Sequence, residues 1–142
     1  MDKLDKVYSK QWDLNNSIFK KHGISEEIGD LFLKARQVEN LGANSNTNIW
    51  LRKFTEALKD EVRELEQELL WKWWSKDKLD MQNIRVEIID IFHFFISLAQ
   101  VAGLSPDDIL KLYLKKNKVN NERQENDYSK ANKDENDNKG IE

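Results

Sequence analysis

Arg85-Val-Glu-Ile-Ile-Asp-Ile-Phe-His-Phe-Phe-Ile-Ser-Leu-Ala99 is almost wholly apolar, and within it Glu87, Asp90 and His93 recur one helical turn apart. An ionised carboxylate withdrawn from water on such a helix is costly unless a partner or a metal compensates it. Two carboxylates on one stripe therefore call for a cation. An upstream stretch supplies a second pair, Glu61 and Glu64, at the same i, i+3 spacing. Four acids on two helices read as a magnesium site, with this apolar stretch as the central helix.

The rest of the composition narrows the class. At 142 residues the chain has room for one sizeable core, expected here as a single domain over residues 1–124 with a polar tail over 125–142. Charged residues make up 35% and the formal net charge is −3, with Lys and Arg scattered among acids, so no nucleic-acid-binding stripe is expected. No cysteine means no disulfide framework and no thiolate zinc site. The chain is charged from its second residue, unlike a secretory leader, and a cytoplasmic location is expected. The apolar run from Ile88 to Ala102 falls short of the roughly 20 residues that span a bilayer, so no membrane is expected. One proline, five glycines and no alternating apolar runs point to an all-α chain.

Periodicity places five main helices. The first runs from about Leu4 to Phe19, with Gly23 as its stop. Ser25 caps a second that continues to about Leu41, its apolar face including Val38. A polar loop follows, and a third helix is predicted from about Asn48 to Trp74 on the stripe Leu51, Phe54, Leu58, Val62, Leu65 and Leu69. The fourth spans about Asn83 to Val101 and ends at Gly103. Ser105-Pro-Asp-Asp108 then combines a cap, a first-turn proline and two acids, and so starts the fifth.

Magnesium takes oxygen ligands and keeps room for phosphate oxygens. Four carboxylates exceed what one ion needs beside a substrate, so two or three ions are expected, with Mn2+ able to substitute. Glu-x-x-Glu alone is more often a solvated helix face; the Glu87/Asp90 pair is sharper because its helix offers so little polar surface. A di-iron bundle is the rival, but it wants Glu-x-x-His on each of two helices, and His93 has no counterpart near Glu64. His93 itself reads as a buried histidine with one hydrogen bond, and His22 as part of a helix end.

Five blocks in order, Gln11-Trp-Asp-Leu-Asn15, Glu61-Val-Arg-Glu-Leu65, Trp71-Lys-Trp-Trp74, Glu87-Ile-Ile-Asp-Ile-Phe-His-Phe94 and Lys116-Asn-Lys-Val-Asn-Asn-Glu-Arg-Gln124, resemble the dimeric dUTPase family. That family is part of the homodimeric all-α NTP pyrophosphatases that include MazG-like enzymes. The resemblance implies Mg2+-dependent hydrolysis of dUTP, and of dUDP, to dUMP, with water attacking the β-phosphorus. It implies that Glu61, Glu64, Glu87 and Asp90 hold the metal and that Glu61 also orients or deprotonates the water. By the same likeness Gln11 and Asn15 contact the nucleoside, Trp73 and Phe94 wall the base, and Lys72 lies nearby. Lys116, Asn120 and Arg123 are implied for the sugar and phosphates, and Tyr128, which matches a tyrosine of the last motif, as a further substrate-binding residue. Arg offers phosphate a fork of donors and Lys a point charge. Where the family carries Gly-Tyr, this chain has Asp127-Tyr128, which removes a site of close backbone approach. Two alternatives stand beside this reading: a MazG-like pyrophosphatase for another nucleotide such as dCTP or a non-standard NTP, and a non-catalytic helical dimer that binds a nucleotide or a regulator.

Overall fold

In the computed structural model, residues 2–28, 30–37, 41–126, 138 and 141 are described, and their regular structure is entirely helical. Six helices follow in order: α1 Lys3–Lys21, α2 Ser25–Ile28, α3 Leu31–Gln37, α4 Asn46–Glu68, α5 Met81–Val101 and α6 Pro106–Glu125. The expected all-α class holds. Val38, Asp127 and Tyr128 lie outside the described residues. The chain divides into two compact units, residues 1–104 and 105–142.

The first unit is built on α5. Its N-terminus is capped by Asp80, whose carboxylate accepts from the Asn83 amide at 3.1 Å. Its C-terminus closes on Gly103, which adopts φ +78°; the Gly103 amide bonds Gln100 O and the Leu104 amide bonds Ala99 O, the paired bonds of a left-handed helix stop. The same pairing ends α1 at Gly23, φ +69°, with Gly23 and Ile24 donating to Lys20 and Phe19. His22 lies at that end, as expected.

Two boundaries differ from the periodicity. The predicted second helix breaks into α2 and α3, with Asp30 between them at φ +66°, a left-handed conformation that aspartate tolerates better than most side chains. The third stops at Glu68 rather than near Trp74, because Leu69 turns extended at ψ 144°. Bulky tryptophans lose side-chain freedom against a preceding helical turn, so the run Trp71 to Trp74 gains little by continuing the helix. Those rings pack edge to face in the α4–α5 connection instead, Trp71 on Trp74 at 6.1 Å and Trp73 on Trp74 at 5.6 Å.

Helices α4 and α5 form the main pair and run antiparallel. Glu61 of α4 meets Glu87 and Asp90 of α5, while Phe54, two turns earlier, meets Phe94, one turn later. The core lies beyond the acids: Ile28, Leu31, Phe54 and Val101 are buried, with Phe19, Trp50, Phe94 and Leu98 packed on them. Val62 and Leu69, expected on the core stripe of α4, are exposed. Three polar bonds brace the end of α5: Tyr8 Oη donates to Leu104 O, Gln100 Nε2 donates to Tyr8 O at 3.0 Å, and Arg36 donates to Gly103 O at 2.9 Å.

In the second unit, Ser105 and Asp108 cap the start of α6 reciprocally, with Pro106 at the first position as read from the sequence. Leu110, Tyr113 and Leu114 form an exposed apolar stripe on it.

A side chain at Gly103 would both force an unfavourable φ and bring a Cβ to 3.0–3.1 Å from Arg36 Cγ, Ala35 Cβ and the Arg36 amide nitrogen. Gly103→Ala is therefore expected to destabilise the protein by roughly 1–3 kcal/mol. Urea unfolding of the variant beside the wild type checks this, and Gly42→Ala, where a Cβ meets nothing within 4 Å, serves as the control.

Candidate metal and nucleotide site

Carboxylate oxygens of Glu61, Glu87 and Asp90 lie within 4.8 Å of one another. The antiparallel pairing of α4 and α5 puts two acids of one helix opposite an acid of the other, so three carboxylates converge. Glu64, the fourth predicted ligand, stands outside that tight triad and is more exposed. It is still close enough to act on both glutamates. The Glu61 carboxyl is pushed up to about 7, first by loss of solvation, then by a hydrogen bond and charge from Glu64, and then by Asp90 and Glu87. Glu87 is raised by desolvation and next by Glu64 and Asp90, against a smaller opposing hydrogen bond from Glu61.

The fit to a divalent cation rests on two atoms. Oε2 of Glu61 and Oε2 of Glu87 are enclosed by protein and make no hydrogen bond to any described residue. A buried carboxylate oxygen without a donor is strongly unfavourable, whereas hard cations bind through such oxygens. Three converging carboxylates, two with an orphaned oxygen, suit a hard metal ion and leave nothing for a soft one.

About 10 Å further along α5, by helical rise, lies a polar relay inside an apolar wall. Ser97, fully buried, donates to His93 O at 3.1 Å and accepts from Asn15 Nδ2 at 3.0 Å; Asn15 Oδ1 in turn accepts from Gln11 Nε2 at 3.0 Å. Asn15 and Ser97 line a cavity of about 90 Å3 whose other walls include Trp12, Phe19, Phe54 and Gln100. Phe94, between Asp90 and Ser97 in the α5 sequence, packs at 6.4 Å on Phe54, which lines this cavity.

The remaining predicted residues are distributed unevenly. Trp73 is 89% exposed and its described ring contact is Trp74, so the structure does not bring it to Phe94. The Lys72 ammonium sits over the Trp71 ring at 5.3 Å. Lys116, Asn120 and Arg123 share one face of α6 by spacing, and Lys116 donates to Asn138. His93 is exposed rather than buried, and its Nδ1 lies 2.9 Å from Ile89 O. Ser97, Gln100, Trp12 and Phe54 were not among the sequence candidates. Ser97 and Gln100 could have been found by the rule that exposed Glu87 and Asp90, since they extend the same stripe, 87-90-97-100, as polar residues on an apolar helix.

An all-helical unit in which one acid of α4 meets two acids of α5 defines an all-α protein with a converging carboxylate centre. The sequence places it further. The dUTPase family matches over residues 3–101 and again over 95–128, and the chain belongs to that family. A dCTP pyrophosphatase of Enterobacteria phage T4 is 32% identical over 104 residues, covering 56% of this chain and 61% of that protein. A dCTP pyrophosphatase of Enterobacteria phage LZ5 is 31% identical over 118 residues, covering 66% and 69%. A DNA replication protein of phage T4 is 29% identical over 94 residues, covering 49% and 24%. The chain thus spans about three fifths to two thirds of the length of the two pyrophosphatases. No solved structure matches significantly. No single helix among the described residues is long and apolar enough to cross a membrane.

The raised carboxyls give the metal-free protein a pH dependence of definite sign. Between the unfolded value of 4.5 and about 7 the folded state holds a proton on Glu61 that the unfolded chain has lost, so stability falls as pH rises through that window. Thermal melts from pH 4.5 to 8 in chelator are expected to show this decline, Mg2+ to reverse it at the alkaline end, and Glu61→Gln to flatten it.

Proposed function

We propose that this protein hydrolyses dUTP, and dUDP, to dUMP, releasing diphosphate from dUTP. The observation that carries the reading is the arrangement along α5: converging carboxylates with orphaned oxygens at one level, and an aromatic-walled carboxamide relay about 10 Å away. That separation is on the scale of a nucleoside from base to phosphate. Family membership supports the same chemistry.

Glu61, Glu64, Glu87 and Asp90 would hold Mg2+, which when bound would neutralise charge on the triphosphate. Glu61, as part of that cluster, would take the proton of the attacking water. The water oxygen bonds to the β-phosphorus; the bond from that phosphorus to the α–β bridging oxygen breaks, and the bridging oxygen leaves with dUMP. Gln11 and Asn15 would meet the base edge, with Phe94 against the ring. Arg123, Lys116 and Asn120 supply donors of the kind phosphates require. For Trp73, Lys72 and Tyr128 the support remains the sequence resemblance.

The dCTP reading keeps the same site and mechanism and is favoured by the names of the two phage relatives. A phosphate-release panel of dUTP, dCTP and dTTP, with inorganic pyrophosphatase added and Mg2+ present or absent, decides between them. Turnover is expected to require Mg2+, to favour dUTP over dCTP, and to fall at least roughly 100-fold in Glu87→Gln. Full activity in that variant would remove the metal site, and equal turnover of dUTP and dTTP would remove the dUTPase reading.

A homodimer is part of the proposal. Ile88, Ile89, Phe92 and Phe95 leave α5 with an exposed apolar face, continued by a groove against α1 lined by Val7, Leu14, Ile89 and Phe92. Contiguous apolar surface of this kind marks an interface. Sedimentation at micromolar concentration is expected to show a dimer for the wild type and a monomer for Phe92→Asp; a monomeric wild type would refute the assignment.

A further inference from the structure

The relay that ends at Ser97 has a direction, and the direction carries information. A hydroxyl has one hydrogen to give. Ser97 spends it on His93 O, one turn back along α5, at 3.1 Å. Its oxygen can then only accept, so Asn15 must turn its Nδ2 toward it, at 3.0 Å. That leaves Asn15 Oδ1 facing Gln11, which must present Nε2. While Ser97 keeps its bond to His93 O, the order of oxygen and nitrogen in both side-chain amides follows from it. Reversing Asn15 would require Ser97, wholly excluded from solvent, to give up its bond to His93 O and turn its hydroxyl to Asn15 instead.

Uracil and cytosine differ in this same respect. Uracil offers an acceptor at position 4 beside a donor at N3; cytosine offers a donor at position 4 beside an acceptor at N3. A carboxamide free to flip reads both edges, and a locked one reads a single edge. We propose that Ser97 is a positioning residue that sets pyrimidine choice by locking the amide orientation of Asn15 and, through it, Gln11. This rests on the reading of Gln11 and Asn15 as base contacts given above.

The test compares kcat/KM for dUTP and dCTP in the wild type, Ser97→Ala and Ser97→Cys, the second variant keeping the side-chain volume with a poor donor and acceptor. The wild type is expected to discriminate, and both variants to bring the ratio roughly tenfold nearer to one, the factor that corresponds to about 1.4 kcal/mol of lost hydrogen bonding. The side-chain NH2 signals of Asn15 in 15N spectra are expected to shift and exchange faster in the variants. A wild-type ratio already near one overturns the proposal. So does an equal loss on both substrates with the ratio unchanged, since that is what a merely structural hydroxyl would give. If the wild type turns over neither nucleotide, the proposed activity fails separately. Ser97 is then judged by the ratio of dUMP to dCMP dissociation constants in the same spectra, and an unchanged ratio or no binding overturns its role.

Discussion

Like-charge repulsion across the α4–α5 seam is the constraint to which the first unit answers. Burying apolar residues on both helices brings Glu61 against Glu87 and Asp90, and desolvation removes the water that would otherwise screen them. Without a cation, protons must do the neutralising, which is why the Glu61 carboxyl rises so far above its ordinary value. The helix pair is held together elsewhere, by the packing of Phe54, Phe94, Trp50 and Val101. Core and cluster therefore oppose each other on the same two helices. Such opposition is common where binding energy is to be used for function, since the ligand relieves a strain that the fold sustains.

Much of this was legible in residue order, for reasons that can be named. Acids on a helix with no other polar surface cannot be ordinary solvated charges, and Glu87 and Asp90 were found that way. Gly103, Ser105 and Pro106 marked the end of one helix and the start of the next because each has a specific backbone preference. Other features depend on what lies across from a residue. Spacing treated Glu61 and Glu64 as equals, but only Glu61 points squarely into the triad. The break at Asp30 rests on a conformation that aspartate accepts and does not advertise. Helical periodicity could not see that Leu69 turns extended and leaves the tryptophans in a connection.

The Gln11–Asn15–Ser97 relay illustrates a further asymmetry. Gln11 and Asn15 were reached only by resemblance, since neither composition nor spacing distinguishes them from other polar residues of α1. Ser97 was passed over although it sits on the most informative stripe in the chain. A hydroxyl costs little to bury when an i−4 carbonyl is at hand, so it raised no question of compensation. Charge draws attention in proportion to its desolvation cost; hydrogen-bond direction does not.

The polar brace at the end of α5 bears on how α1 can move. Tyr8 is tied to Gln100 and Leu104, and Asn15, two turns on, is tied to Ser97. A cylinder fastened at two separated points cannot roll about its axis. Swivelling α1 enough to turn Gln11 away would break bonds at both points together, so the pair behaves as one plate. On the other side of α5, α4 is held through the packing of Phe54, Phe94 and Trp50 instead, so the two flanks of α5 are fastened by different kinds of contact.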